Sequence, residues 1–144
     1  MAKKPRAKPR ISIKYLRLNL QKTGELYSRA KEANIAELDR LIGAGEYRAA
    51  LIQARQVLTS IIKGDNGTAE RIYDRIIFCL RGVNMLKEAH VFANRLAEQA
   101  YKAGCDGLCK KYETLRKKIK NEYTAQERER ARIAGDISAL EKLI

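Results

Sequence analysis

The chain has 144 residues, 45 % of them hydrophobic and 33 % charged, with a formal net charge of +13. This suffices for one domain with a core of its own and is too apolar for a disordered chain. An odd count of three cysteines argues against a secreted disulfide framework, and no apolar run approaches the ~20 residues of a membrane-spanning helix.

The charge is unevenly placed. Residues 1–31 carry +9, residues 32–107 are neutral, residues 108–132 carry +5 and the last twelve carry −1. A neutral middle flanked by two basic segments points to a polyanionic partner.

Met1 to Arg10 reads M-A-K-K-P-R-A-K-P-R, with Lys3, Lys4, Arg6, Lys8 and Arg10 basic and both prolines of the chain at Pro5 and Pro9. Proline lacks the N–H and pushes its predecessor out of the helical region, so this stretch is expected to be an extended arm. It has no large apolar residue to bury, and a phosphate backbone is the commonest partner that would order it. This N-terminal stretch has no apolar h-region and does not read as a signal peptide, which predicts a protein acting inside a cell or inside a particle made there.

Residues 11–144 read as one helical domain. The spacing predicts a helix over about 12–33, with Leu16, Leu20, Tyr27 and Ala30 near one face, Gly24 as a bend, and Lys14, Arg17 and Lys22 extending the basic surface. Asn34 with Glu37 has the pattern of a capping box opening a second short helix, which Gly43 and Gly45 would stop. A helix from Glu46 carries Leu51, Ala54, Leu58 and Ile61, with Gly64 just past its end. Thr68 is the expected cap of the next and most apolar helix, which holds Ile72, Ile76, Ile77 and Leu80 and ends at Gly82. Asn84 is the expected cap of a helix whose stripe is Leu86, Ala89, Phe92, Ala93, Leu96 and Ala100. Its small residues would let a neighbour approach closely, and the stripe from Ala89 to Ala100 together with the apolar tail Ile137, Leu140, Leu143 and Ile144 exceeds what one small core is expected to need. Asp106 is the expected cap of a long helix with a heptad-like seam, Leu108, Tyr112, Leu115, Ile119 and Tyr123. Its other faces carry Lys110, Lys111, Arg116, Lys117, Lys118 and Lys120, and Gly135 is expected to break it before a short tail helix. The fold expected is all-α, with five to six helices in a hairpin or bundle arrangement and a basic arm.

No catalytic constellation stands out, so no enzyme activity, small-molecule substrate or cofactor is expected. The single histidine, His90, reads as a partly exposed side chain, and Cys105 and Cys109 do not complete a four-ligand metal site. Tyr15, Tyr112 and Tyr123 lie within the basic segments and could stack on bases, but core packing with the hydroxyl at the edge is the favoured reading. No RNA-recognition motif, zinc finger or recognition helix is evident, which points to sequence-indifferent contact with the phosphate backbone.

In its size, its all-helical pattern and its M-A-K-K-P-R-A-K-P-R arm running into a helix, the chain resembles the DNA-wrapping major capsid proteins of filamentous and rod-shaped archaeal viruses. The resemblance implies that Lys3, Lys4, Arg6, Lys8, Arg10, Lys14 and Arg17 contact phosphates. It also implies paired subunits, DNA held in A form and location in a virion. The segment from Leu38 to Ala54 is similar to the loop joining the first two helices of ESCRT-III-type proteins, which implies membrane remodelling instead. The same segment and Asn84 to Ala93 also look like the second helix of tetratricopeptide repeats. A ribosomal or other ribonucleoprotein subunit in the cytoplasm is the generic alternative, with RNA in place of double-stranded DNA. The candidate nucleic-acid-binding residues are those of the arm together with Lys14, Arg17, Lys22, Lys110, Lys111, Arg116, Lys117, Lys118 and Lys120.

Overall fold

The computed structural model describes residues 13–144, with side chains from Gln21 onward. The expected arm, and with it Lys3, Lys4, Arg6, Lys8 and Arg10, lies outside the described residues. Five helices account for almost all the rest: α1 (Ile13–Gly43), α2 (Tyr47–Ser60), α3 (Asn66–Gly82), α4 (Leu86–Lys102) and α5 (Asp106–Glu141). There is no strand among the described residues.

Three of the four connections are one motif used repeatedly. Gly45, Asn84 and Gly104 have φ of 74°, 65° and 72°. In each turn the next residue sends its N–H back to a carbonyl five residues earlier: Glu46 to Leu41 at 2.9 Å, Met85 to Leu80 at 2.8 Å and Cys105 to Ala100 at 2.9 Å. This is the Schellman closure, in which a left-handed residue satisfies the orphan carbonyls of the ending helix. The chain then enters the following helix at once. Asn84 is therefore the left-handed residue that ends α3, and the residues at the helix starts are Met85 and Cys105, neither with a side-chain cap. Asp106 is the first residue of α5 instead, an acid in its first turn.

The α2–α3 link is longer. Gly64 sits in it at φ 98°, beyond the end of α2 at Ser60. Asp65, not Thr68, caps α3: its carboxylate accepts from the Thr68 N–H at 3.3 Å and from Thr68 Oγ1 at 2.7 Å. Thr68 is buried inside the first turn.

Two expected breaks are absent. α1 runs straight through Gly24 and Asn34. Glu37 turns forward to Arg40, at 2.6 Å, instead of back toward Asn34, so no capping box forms. The buried seam Ile35, Leu38 and Leu41 holds the helix against α2 and α3. Likewise α5 passes through Gly135, where an exposed glycine costs only about 1 kcal/mol of helix propensity and does not by itself end a helix.

The core is in two halves that share α3. Ile35, Leu38, Ala50, Ala54, Val57 and Ile72 fill the space between α1, α2 and α3. Ile77, Leu86, Ala89, Ala93, Tyr112 and Ile119 fill the space between α3, α4 and α5. Tyr73, Leu80 and Phe92 pack against both. The apolar α3 is thus the centre, as its composition predicts. The alanine stripe of α4 is spent inside the core: Ala89, Ala93, Ala97 and Ala100 are buried, and α5 lies close along that face.

Ion pairs stitch the odd-numbered helices side by side. Arg71 reaches Glu32 at 2.8 Å and Arg75 reaches Asp39 at 2.7 Å, joining α3 to α1. Lys111 donates to both Glu70 (2.7 Å) and Asp74 (2.8 Å), and Arg81 pairs with Glu122, joining α3 to α5.

Candidate nucleic-acid interface

The basic residues fall into two groups with different surroundings. Lys110, Lys117, Lys118 and Lys120 on α5 are exposed and form no ion pair among the described residues. Lys110 and Lys117 are seven residues apart, about two turns, on the side of α5 away from the buried Tyr112 and Ile119. Lys118 and Lys120 flank that row. Lys22 is exposed on α1. Lys14 and Arg17 lie on the α1 backbone, with side chains outside those described.

Lys111 and Arg116 are committed elsewhere. Burial pulls the Lys111 pKa down, but its bonds to Asp74 and Glu70 outweigh this and leave it raised, so the ammonium is held as a structural cation. Arg116 Nη1 donates to Asn94 Oδ1 at 2.7 Å and joins α5 to α4. Tyr112 is buried and donates its hydroxyl to Asp74 at 3.2 Å, and burial first, then the Asp74 charge, pushes its pKa far up. The core reading of this tyrosine is correct. Tyr123 is half-buried against the α4 seam.

His90 reports the field on this side. It is half-buried, and its pKa is lowered first by burial and then by the Arg116 and Lys120 charges. The imidazole sits under the positive potential of these two α5 side chains.

Further cations emerge from the neutral middle of the chain. Arg48 and Arg55 on α2, and Lys87, Arg95 and Lys102 on α4, are exposed and form no ion pair among the described residues. Their acidic counterparts in the count, Glu32, Asp39, Asp65, Glu70 and Asp74, are tied into the α1–α3 and α3–α5 contacts. Overall charge hides this. The signal that could have found these cations is the seven-residue spacing of Arg48 with Arg55 and of Arg95 with Lys102, opposite the buried faces of their helices.

The clefts are open. One of about 250 Å³ lies where α3 starts and α4 ends, lined by Glu70, Tyr73, Leu96, Ala100, Leu108 and Tyr112. Its carboxylate and the Tyr112 hydroxyl are already engaged in the α3–α5 contacts. No His, Cys, Asp or Glu cluster among the described residues could hold a metal ion. No helix among them is long and apolar enough to cross a membrane. No protein-family model, curated protein or solved structure matches the chain.

Proposed function

We propose that the protein coats double-stranded DNA through sequence-independent phosphate contacts and assembles on it as a helical filament, as a major capsid or nucleocapsid protein in a virion. The observation that carries this reading is the contrast within α5. Lys110, Lys117, Lys118 and Lys120 stand exposed on the outer faces of α5 without an ion pair among the described residues, while its seam and Lys111 are spent on the fold. Lysines arrayed along one helix neutralise phosphates without reading bases. The arm and the start of α1 supply the second positive surface, through Lys3, Lys4, Arg6, Lys8, Arg10, Lys14, Arg17 and Lys22. Repeated subunits would exclude water from the duplex, a setting that favours A-like geometry.

Electron microscopy of the full chain with and without linear duplex DNA tests the reading. Filaments of fixed diameter that enclose the DNA, with its circular dichroism shifted toward the A-form signature, are expected. Filaments on anionic liposomes, co-sedimentation with ribosomal subunits, or non-cooperative binding to B-form DNA would each overturn it.

A further inference from the structure

Two helices overrun the bundle, and they do so at opposite ends. At one end Tyr27 Oη donates to Asp65 Oδ2 at 2.7 Å and accepts from the Ile62 N–H at 3.3 Å, which sets Tyr27 level with the α2–α3 link. α1 extends beyond that level from Leu26 back to Ile13. At the other end Gln126 Nε2 donates to Asn84 Oδ1, which sets Gln126 level with the α3–α4 turn. α5 continues past it to Glu141, and every residue from Glu127 onward is exposed. Helix α3 runs from the first of these levels to the second. Each overhang is therefore roughly 20 Å long at 1.5 Å per residue, and the two point away from each other.

Both overhangs keep the register of the seam they leave. In α5 the buried line through Tyr112 and Ile119 continues into Ile133, Ile137 and Leu140, which are 48 %, 50 % and 62 % exposed. In α1, positions 20, 16 and 13 stand close to five, six and seven helical turns before the buried Leu38, and the sequence fills them with Leu, Leu and Ile. The α5 overhang, residues 127–141, carries −1, from Glu127, Glu129, Asp136 and Glu141 against Arg128, Arg130 and Arg132, whereas the α1 overhang, residues 13–26, carries +2, from Lys14, Arg17 and Lys22 against Glu25.

From these overhangs we infer that one copy of this chain binds the next head to tail, the α5 overhang of one lying along the α1 overhang of its neighbour. Equal length and opposite sign make the two segments complementary, while α1 against α1 would set like charges together. Each pairing buries the α5 line of Ile133, Ile137 and Leu140, which the isolated chain leaves in water. Because the two surfaces differ and leave from opposite ends, the contact does not close on itself at two copies; it propagates. The inference rests on the self-association half of the proposed function and requires no nucleic acid.

Light scattering and sedimentation of the full chain without DNA test it. The wild type is expected to grow in mass with concentration. Ile137→Asp with Leu140→Asp removes one surface, and Leu16→Asp with Leu20→Asp removes the other. Each double variant alone is expected to stay monomeric, and their equimolar mixture to stop at a dimer, since one competent junction remains. Far-ultraviolet circular dichroism and thermal unfolding verify that the bundle is intact. If either variant loses more helix than its overhang contains, Leu140→Ala and Leu20→Ala are mixed in the same way. A wild type that stays monomeric would overturn the proposal. So would an α1 variant that still dimerises alone, the mark of α5 pairing with itself, or a mixture that remains monomeric. DNA binding by the wild type is measured separately. Its absence alongside intact head-to-tail growth would remove the coat reading and leave this one standing.

Discussion

The hydroxyl of Tyr27 and the carboxylate of Asp65, 38 residues apart, meet at 2.7 Å, and that carboxylate is also the cap of α3. Asp65 further accepts from Thr68 Oγ1 and lies 3.4 Å from Lys31 Nζ. One side chain thus starts a helix and ties it to α1. The bonds from Thr68, and then from Tyr27, hold its carboxyl well below the usual carboxylate range. The bonds from Arg71 and Arg75 lower Glu32 and Asp39 in the same direction. A carboxyl depressed in the folded state gives stability that is full above its unfolded pKa of about 3.9 and is lost as pH falls toward the folded value. The wild type should therefore lose thermal stability progressively below about pH 4. Asp65→Asn, which can still cap, should lower Tm at neutral pH and lose less on further acidification. Thermal unfolding followed between neutral and strongly acidic pH checks both parts. Parallel curves for the two proteins would exclude Asp65 as a source of the acid sensitivity.

The second prediction concerns two glycines with opposite surroundings. A Cβ on Gly82 would stand 2.8 Å from the ring of Tyr47, which packs edge-on to Phe78 at 6.1 Å. A Cβ on Gly135 would meet nothing within 4 Å. Helix propensity favours alanine over glycine by about 1 kcal/mol at both sites. At Gly82 the displaced ring should outweigh this, and Gly82→Ala should destabilise by about 1–3 kcal/mol. Gly135→Ala should leave the cooperative transition unchanged and raise helicity. Denaturant unfolding separates the two, and a stabilised Gly82→Ala would mean that Tyr47 turns aside at no cost.

The four turns between the helices were legible because local and tertiary signals agree there. Gly45, Gly64 and Gly104 stand where an apolar seam stops, and the left-handed backbone there suits glycine. Asn84 was read one step wrong because asparagine serves both at helix starts and in left-handed closures, and sequence does not separate the two. Asn34 and Gly135 misled for other reasons. At Asn34 a cap signal competes with the buried seam that continues through it to Ile35, Leu38 and Leu41, and the seam prevails. At Gly135 one exposed glycine costs only about 1 kcal/mol of helix propensity, too little to end the helix. The ion pairs between odd-numbered helices could not be read at all, since Arg71 and Glu32 lie 39 residues apart. That is also why Lys111 was grouped with Lys110: adjacent in sequence, they differ only in what α3 places opposite one of them. The arm, the clearest sequence signal toward function, lies outside the described residues.

Lys111 and Lys117 turn that distinction into a measurement. Lys111 bridges Glu70 and Asp74 on α3, and the three side chains are 34–40 % exposed, so solvent screens the pair. Lys111→Ala should cost about 0.5–1 kcal/mol of stability. Lys117 forms no ion pair among the described residues, and Lys117→Ala should change stability by less than ~0.5 kcal/mol. On duplex DNA the order reverses. Lys117→Ala should weaken binding at low salt and reduce the log–log salt slope by about 0.9, the share of one phosphate contact, while Lys111→Ala should leave the slope nearly unchanged. Equal slopes for the two variants would remove the outer face of α5 from the interface.

The final prediction separates the arm from the fold. Residues 1–10 hold five basic residues and no acid, while the buried core of the described chain begins at Ile35. Deleting them should leave helicity and the denaturant midpoint close to those of the full chain. If each of the five cations meets a phosphate, the salt slope for duplex DNA should fall in magnitude by roughly 4 to 5. Lys110, Lys117, Lys118 and Lys120 stay in place on α5, so residual binding should persist with a shallower slope. Adding Lys117→Ala to the deletion should then subtract a further ~0.9, since sites far apart on one polyanion add nearly independently. A clasp made by both surfaces requires this additivity at low occupancy. If the deletion abolishes the α5 contribution as well, the arm is the whole interface and the α5 lysines only keep the chain soluble. If the deletion leaves the slope unchanged, the arm does not touch DNA and the interface belongs to the helices alone.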